Sequence, residues 1–196
     1  SGFYRIDKII PGAAYSQTLR SPLTEPGIDV KEGEYIVAID GTPKRLEMAK
    51  KLGAKTVISF KEVTSLDERV KMVKKVCNGV GVDFAFQCTG APVAAADIFS
   101  YIRRGGGMCE MGFFVNNGEY SINPHLAMCN KEINIVGSWD YSAEDYPTTM
   151  AFLRQCKEMN IPIEDLITHS FPLDKMNEAM ETNVAQKGIK ICYIAD

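Results

Sequence analysis

Histidine is nearly missing from this chain. There are two in 196 residues, and tryptophan occurs once. Two histidines, His125 and His169, lie far apart in sequence and without partners at ligand spacing, which argues against a resident zinc site. Six cysteines are present, but no two form a C-x-x-C pair, so neither a zinc knuckle nor a redox pair is indicated. Cys77, Cys88, Cys109, Cys129, Cys156 and Cys192 read as small buried hydrophobes in a reducing cytoplasm, and a chain of this size needs no disulfide framework. No apolar run approaches the length of a membrane span, and no basic-then-apolar leader is seen. The opening Ser1-Gly2 reads as a cleavage scar or an excised segment. Charge is balanced: the net value is −3, with both signs interspersed, which argues against a nucleic-acid surface. The chain also lacks Gly-x-Gly-x-x-Gly, the turn that brings a helix N-terminus onto a pyrophosphate. Gly79-Val80-Gly81 and Gly105-Gly106-Gly107 both precede strands, which is the wrong context.

What is present is an alternation. Hydrophobic residues make up 45% of the chain, enough for a sizeable core. Phe3 to Ile10 reads as a strand, and residues 13–33 as loop with at most a short helix near Ala13–Leu19. Tyr35 to Asp40 is a short apolar strand. Pro43 then suits the first turn of a helix with Thr42 as its N-cap, and Gly53 ends that helix. Strands are expected over 56–60, 82–88, 108–114, 133–139 and 189–194. Helices are expected over 66–77, capped by Ser65, and over 91–104, 143–159 and 173–182. Val70, Val73, Val76 and Cys77 are spaced to face a core. Short apolar strands alternating with capped helices predict an α/β fold with a mainly parallel sheet.

An acidic residue at a strand end, just before a helix, can accept both hydroxyls of a ribose and repel a 2′-phosphate. Asp40 is so placed, although Asp40-Gly41 also reads as an ordinary turn. The stretch from Thr42 to Ala54, Val82-Asp83-Phe84-Ala85-Phe86-Gln87-Cys88-Thr89-Gly90, Arg104-Gly105-Gly106-Gly107, Met111-Gly112 and Ile135-Val136-Gly137-Ser138-Trp139 resemble the medium-chain dehydrogenases, the zinc-type alcohol and polyol enzymes. The tail from Leu166 to Leu173, Asn177-Glu178-Ala179 and Lys187-Gly188-Ile189-Lys190 is similar to that family's C-terminal end. The resemblance spans residues 35–196. It implies a Rossmann-like sheet that lacks its native first βα unit. It also implies NAD as cofactor, with Asp40 holding the adenosine ribose, Arg45 near the adenine edge, Cys88-Thr89-Gly90 lining the groove and Gly112-Phe113 approaching the nicotinamide side. The family's zinc-bearing catalytic domain has no counterpart here, so zinc is not expected.

Residues 3–41 resemble the first half of a PDZ domain of the tricorn-protease type, on Tyr4-Arg5-Ile6, Arg20-Ser21-Pro22-Leu23 and Pro26 to Gly41. A PDZ peptide groove needs a later helix, which this chain replaces with dehydrogenase-like sequence, so peptide binding is not expected. Phe3 to Ile10 has the length to fill the missing central strand. The division implied is 1–41 PDZ-like, 35–160 dinucleotide-binding and 161–196 a C-terminal helix and strand. Two resemblances in one chain imply a hybrid, designed or recombined, without catalytic turnover and with at most weak nucleotide binding through the adenosine side. The alternatives are the dehydrogenase activity of the source family and a PDZ-like peptide module. Cytoplasmic location, no nucleic-acid or membrane partner, and oligomerisation through open strand edges complete the expectations.

Overall fold

The computed structural model describes residues 36–195. The readings of a Phe3–Ile10 strand, of its insertion into the sheet and of most of the PDZ-like segment lie outside the described residues. Within them, strands and helices alternate as expected, except that an additional strand, Ile167–Pro172, separates the last two helices. They are β1 (Val37–Asp40), α1 (Pro43–Lys51), β2 (Thr56–Ser59), α2 (Leu66–Val76), β3 (Val82–Gln87), α3 (Pro92–Tyr101), β4 (Ile102–Glu110), β5 (Asn134–Gly137), α4 (Asp145–Glu158), β6 (Ile167–Pro172), α5 (Met176–Val184) and β7 (Lys190–Ile194). Every strand pairing is parallel: β1 with β2, β3 with β4 with β5, and β6 with β7. The fold is therefore α/β and Rossmann-like, built from parallel ladders with helices between them.

The core lies where the first two ladders meet their helices. Ile58 from β2, Val73 from α2, Ile98 and Phe99 from α3, and Ile102 and Met108 from β4 form one apolar cluster, with Val37 and Ile39 of β1 packed against it. Of the α2 residues expected to face inward, Val73 is buried, Val70 and Cys77 are half-buried and Val76 is exposed. The position that replaces Val76 inside is Arg69. Its guanidinium is buried because every arm of it is engaged. Nε donates to the Tyr101 hydroxyl at 2.9 Å, Nη1 to the Val63 and Thr64 carbonyls at 2.8 and 2.7 Å, and Nη2 to Asp97 at 2.6 Å. A buried charge is tolerated when it is paired and fully hydrogen-bonded.

The third helix departs from expectation. It ends at Tyr101 rather than Arg104, and β4 begins at once, taking in Gly105-Gly106-Gly107. The ladder explains this. Val82 faces Ile102 and Phe84 faces Gly107, so residues 103–106 bulge out of the pairing. Gly105, at φ +68°, supplies the left-handed turn this bulge needs. No glycine stops α3. Instead Lys131 extends its ammonium group to the carbonyls of Phe99 (2.6 Å) and Ile102 (3.2 Å), a cation on a helix C-terminus. Burial, with Lys74 adding to it, lowers the pKa of Lys131.

Strand β4 ends at Glu110, so Met111 to Phe114 is not strand. His125–Cys129 forms a π-helical turn, β6 occupies part of the tail, and α5 starts at Met176 after a short 3₁₀ turn. Among the cysteines, which are all unpaired, only Cys156 is buried. Cys88 and Cys129 are exposed, against the expectation that most would be core residues. Cys88 lies just past β3 and Cys129 ends the π-helical turn. No helix among the described residues is long and apolar enough to cross a membrane.

Candidate functional site

Three strands of the first two ladders end in an acceptor side chain: Asp40 ends β1, Gln87 ends β3 and Glu110 ends β4. Each folds back onto its own chain. The Thr42 N–H donates to Asp40 Oδ1 at 2.6 Å. The Thr89 N–H donates to Gln87 Oε1, and Gln87 Nε2 donates to the Thr89 carbonyl at 2.6 Å. The Gly112 N–H donates to Glu110 Oε1 at 3.0 Å. In each case the bond spans two residues and closes the turn that leaves the strand, as an Asx-turn does.

The Asp40 geometry settles how α1 begins. Thr42 has the extended backbone of an N-cap, but its side chain caps nothing. The Asp40 carboxylate organises that turn instead, so the reading of Asp40-Gly41 as a turn holds. It leaves Oδ2 3.9 Å from Arg45 Nη1, a half-exposed pair. Such a pair contributes about 0–1 kcal/mol.

A cavity of about 1250 Å³ lies between β1 and β3. Val37, Ile39 and Asp40 wall one side, and Ala85, Gln87 and Cys88 wall the other. Arg45 and Thr89 also face it. The structure thus gathers four of the expected site residues, Asp40, Arg45, Cys88 and Thr89, on one cavity. Gly90, Gly112 and Phe113 are not among its walls. Gly112 supports that wall from behind, because a Cβ there would lie within the Thr89 backbone. Gly90 abuts the Asn117 side chain, and the Phe113 ring lies 6.0 Å from that of Tyr120. His125 and His169 stand on different elements. His169 stacks on Phe171 and touches the Thr168 hydroxyl. Among the described residues no three His, Cys, Asp or Glu side chains converge as a metal site.

Sequence reasoning missed Gln87, Glu110 and Arg69. The signal for the first two was legible: an acceptor side chain at the last strand position, followed two residues later by Thr or Gly. Glu110 Oε2 is buried and, among the described residues, has no hydrogen-bond partner. Although Cys88 is exposed, burial of its surroundings pushes its thiol pKa up, and Cys109 and Glu110 add to the rise. A thiol whose pKa is raised stays protonated at neutral pH and is a poor nucleophile. Alkylation of Cys88 by iodoacetamide at pH 8 should therefore be slower than that of a model-peptide thiol, and should accelerate into the alkaline range. Peptide mapping by mass spectrometry reads this, and equal rates at pH 8 would refute it.

Parallel ladders with helices between them and an acidic residue closing one strand beside the cavity are the pattern of the Rossmann-like class of fold. The comparisons agree. The model of a family described as zinc-binding dehydrogenase matches residues 31–155, and the chain belongs to that family. It is 34% identical over 147 residues to a sorbitol dehydrogenase of Bacillus subtilis, covering 74% of this chain and 38% of that protein. It is 32% identical over 162 residues to an L-idonate 5-dehydrogenase of Vitis vinifera, covering 81% and 42%. Among solved structures it superposes on an alcohol dehydrogenase of Thermotoga maritima with a TM-score of 0.76 and 26% identity, covering 84% of this chain and 44% of that one. The chain spans about two-fifths of the length of the curated relatives it matches. The family match begins at residue 31, inside the stretch that resembles a PDZ domain. These findings support the dehydrogenase reading over the inactive hybrid. They lend no support to a PDZ origin.

Proposed function

We propose that the chain is the nucleotide-binding part of an NAD-dependent dehydrogenase acting on polyols or related alcohols. The observation that carries this is Asp40. It is a half-buried carboxylate at the end of a parallel strand, it faces the same cavity as Cys88 and Thr89, and Oδ2 remains beyond the bond to Thr42. An acceptor-only group at a strand end fits the hydroxyls of a ribose and repels a 2′-phosphate. Bound NAD would supply a two-electron acceptor for the hydride of an alcohol carbon. The chain's own contribution is placement. Asp40 would accept the ribose hydroxyls and Arg45 would lie along the adenine edge. Cys88 and Thr89 would form the groove wall, with Gly90 just beyond it and Gly112 and Phe113 toward the nicotinamide side. The substrate class is supported by the sorbitol and L-idonate names of the relatives. No described His, Cys, Asp or Glu cluster is proposed as a zinc ligand set. Without a glycine-rich pyrophosphate turn the affinity is expected in the millimolar range, about −4 kcal/mol. A cytoplasmic setting without nucleic-acid or membrane partners is part of the same proposal, supported by the balanced charge.

Asp40→Asn tests the role of the charge. It keeps an oxygen for the Thr42 N–H and so preserves the turn, but removes the repulsion of a 2′-phosphate. The expected outcome is unchanged thermal stability with the NAD-over-NADP preference reduced about tenfold, on the scale of one lost charge interaction, ~1.4 kcal/mol. Titration followed by NMR shifts reads both. A preference that survives intact places the ribose elsewhere.

A further inference from the structure

We propose that Gln87 and Glu110 are positioning residues of the crevice, each locking the backbone turn that carries the groove wall; the crevice role rests on the nucleotide reading above. The two face each other in register across β3 and β4. Gln87 is buried and holds both polar groups of the Thr89 backbone, as acceptor from its N–H and as donor to its carbonyl. Glu110 holds the Gly112 N–H. Gly112 in turn packs against the Thr89 backbone so closely that no side chain fits between them. The two brackets therefore act on one contact from opposite sides.

Their chemistry also constrains the ligand. Backbone N–H groups at strand ends are ordinary donors to anions. Here the Thr42, Thr89 and Gly112 amides are already engaged by this chain's own side chains, two of them by carboxylates. These three amides are therefore not free to meet an anion, and the cations on the cavity are side chains such as Arg45 and Arg103. Glu110 Oε2, buried and unused by any described residue, lies outside the cavity walls.

The test uses the full chain and two readouts. In Gln87→Leu the Thr89 amide, and in Glu110→Leu the Gly112 amide, should exchange with solvent about tenfold faster, the ~1.4 kcal/mol of one lost hydrogen bond. The Val73 and Ile98 amides should keep their parent rates. The NAD dissociation constant should rise about tenfold in both variants, while Glu110→Gln, which retains an acceptor for Gly112, should bind as the parent does. Should a leucine variant fail to fold, Gln87→Glu decides. It keeps the acceptor for the Thr89 N–H and removes the donor to the carbonyl, so NAD should weaken severalfold with the Thr89 amide still protected. Unchanged exchange at Thr89 and Gly112 in folded leucine variants overturns the brackets. Faster exchange with unchanged NAD affinity overturns their crevice role. A parent chain that binds no NAD removes the nucleotide reading and the crevice role together, and the exchange rates then still decide the brackets separately.

Discussion

Arg69→Ala should lower the unfolding free energy by about 3–5 kcal/mol, because it strands a buried network rather than removing a surface charge. The guanidinium joins α2 to α3 and to the loop before α2 through four hydrogen bonds carried on one planar group. Its loss leaves Asp97 as a largely buried carboxylate without its cation and leaves the Tyr101 hydroxyl and two carbonyls unmet. Desolvation already pushes the Tyr101 phenol up, with the Arg69 contacts holding it down, so the variant should raise that pKa further. Urea unfolding followed by circular dichroism measures the stability. A loss under 1 kcal/mol would show that the network is compensated by water. Arg69→Lys should recover little, since an ammonium cannot match the fork that reaches Tyr101, Asp97 and both carbonyls.

The second large effect concerns Gly112. A Cβ at this position meets the nitrogen, carbonyl carbon and oxygen of Thr89, all backbone, so no rotamer relieves the clash. Gly112→Ala should destabilise the fold by about 1–3 kcal/mol as an overpacked site. It should also displace the Thr89 turn, disrupt the Gln87 bracket and reduce nucleotide affinity at least as much as Gln87→Leu does. Melting temperature and NAD titration report the two consequences. Gly137→Ala is the control, because a Cβ there meets nothing within 4 Å. Equal behaviour of the two alanine variants would contradict the close packing of the crevice wall.

The fold was legible because its signals are local and repeated. Short apolar runs between capped segments placed β1, β2, β3 and β5 within a residue or two. Ser65 was read correctly as the cap of α2, and its hydroxyl accepts from the Glu68 N–H. The misplaced boundary between α3 and β4 has a clear origin. Three glycines in a row read as a helix stop, whereas the actual stop is a lysine twenty-nine or more residues further along the chain, and the glycines serve a bulge. Long-range partners such as Lys131 leave no local trace. Arg69 was hidden for a related reason. A charged residue on an apolar helix face reads as solvated until its partners on α3 are known. The site was half legible: the strand-end carboxylate Asp40 carries its own chemistry, while the paired strand ends at Gln87 and Glu110 acquire meaning only from their register.

The most direct test of the central claim is calorimetric titration of the 196-residue chain with NAD and, in parallel, with NADP. Saturable NAD binding in the millimolar range, about −4 kcal/mol, is the expected result, with NADP weaker by roughly tenfold or more. Absence of NAD binding at several times that concentration, or equal affinity for the two cofactors, would contradict it.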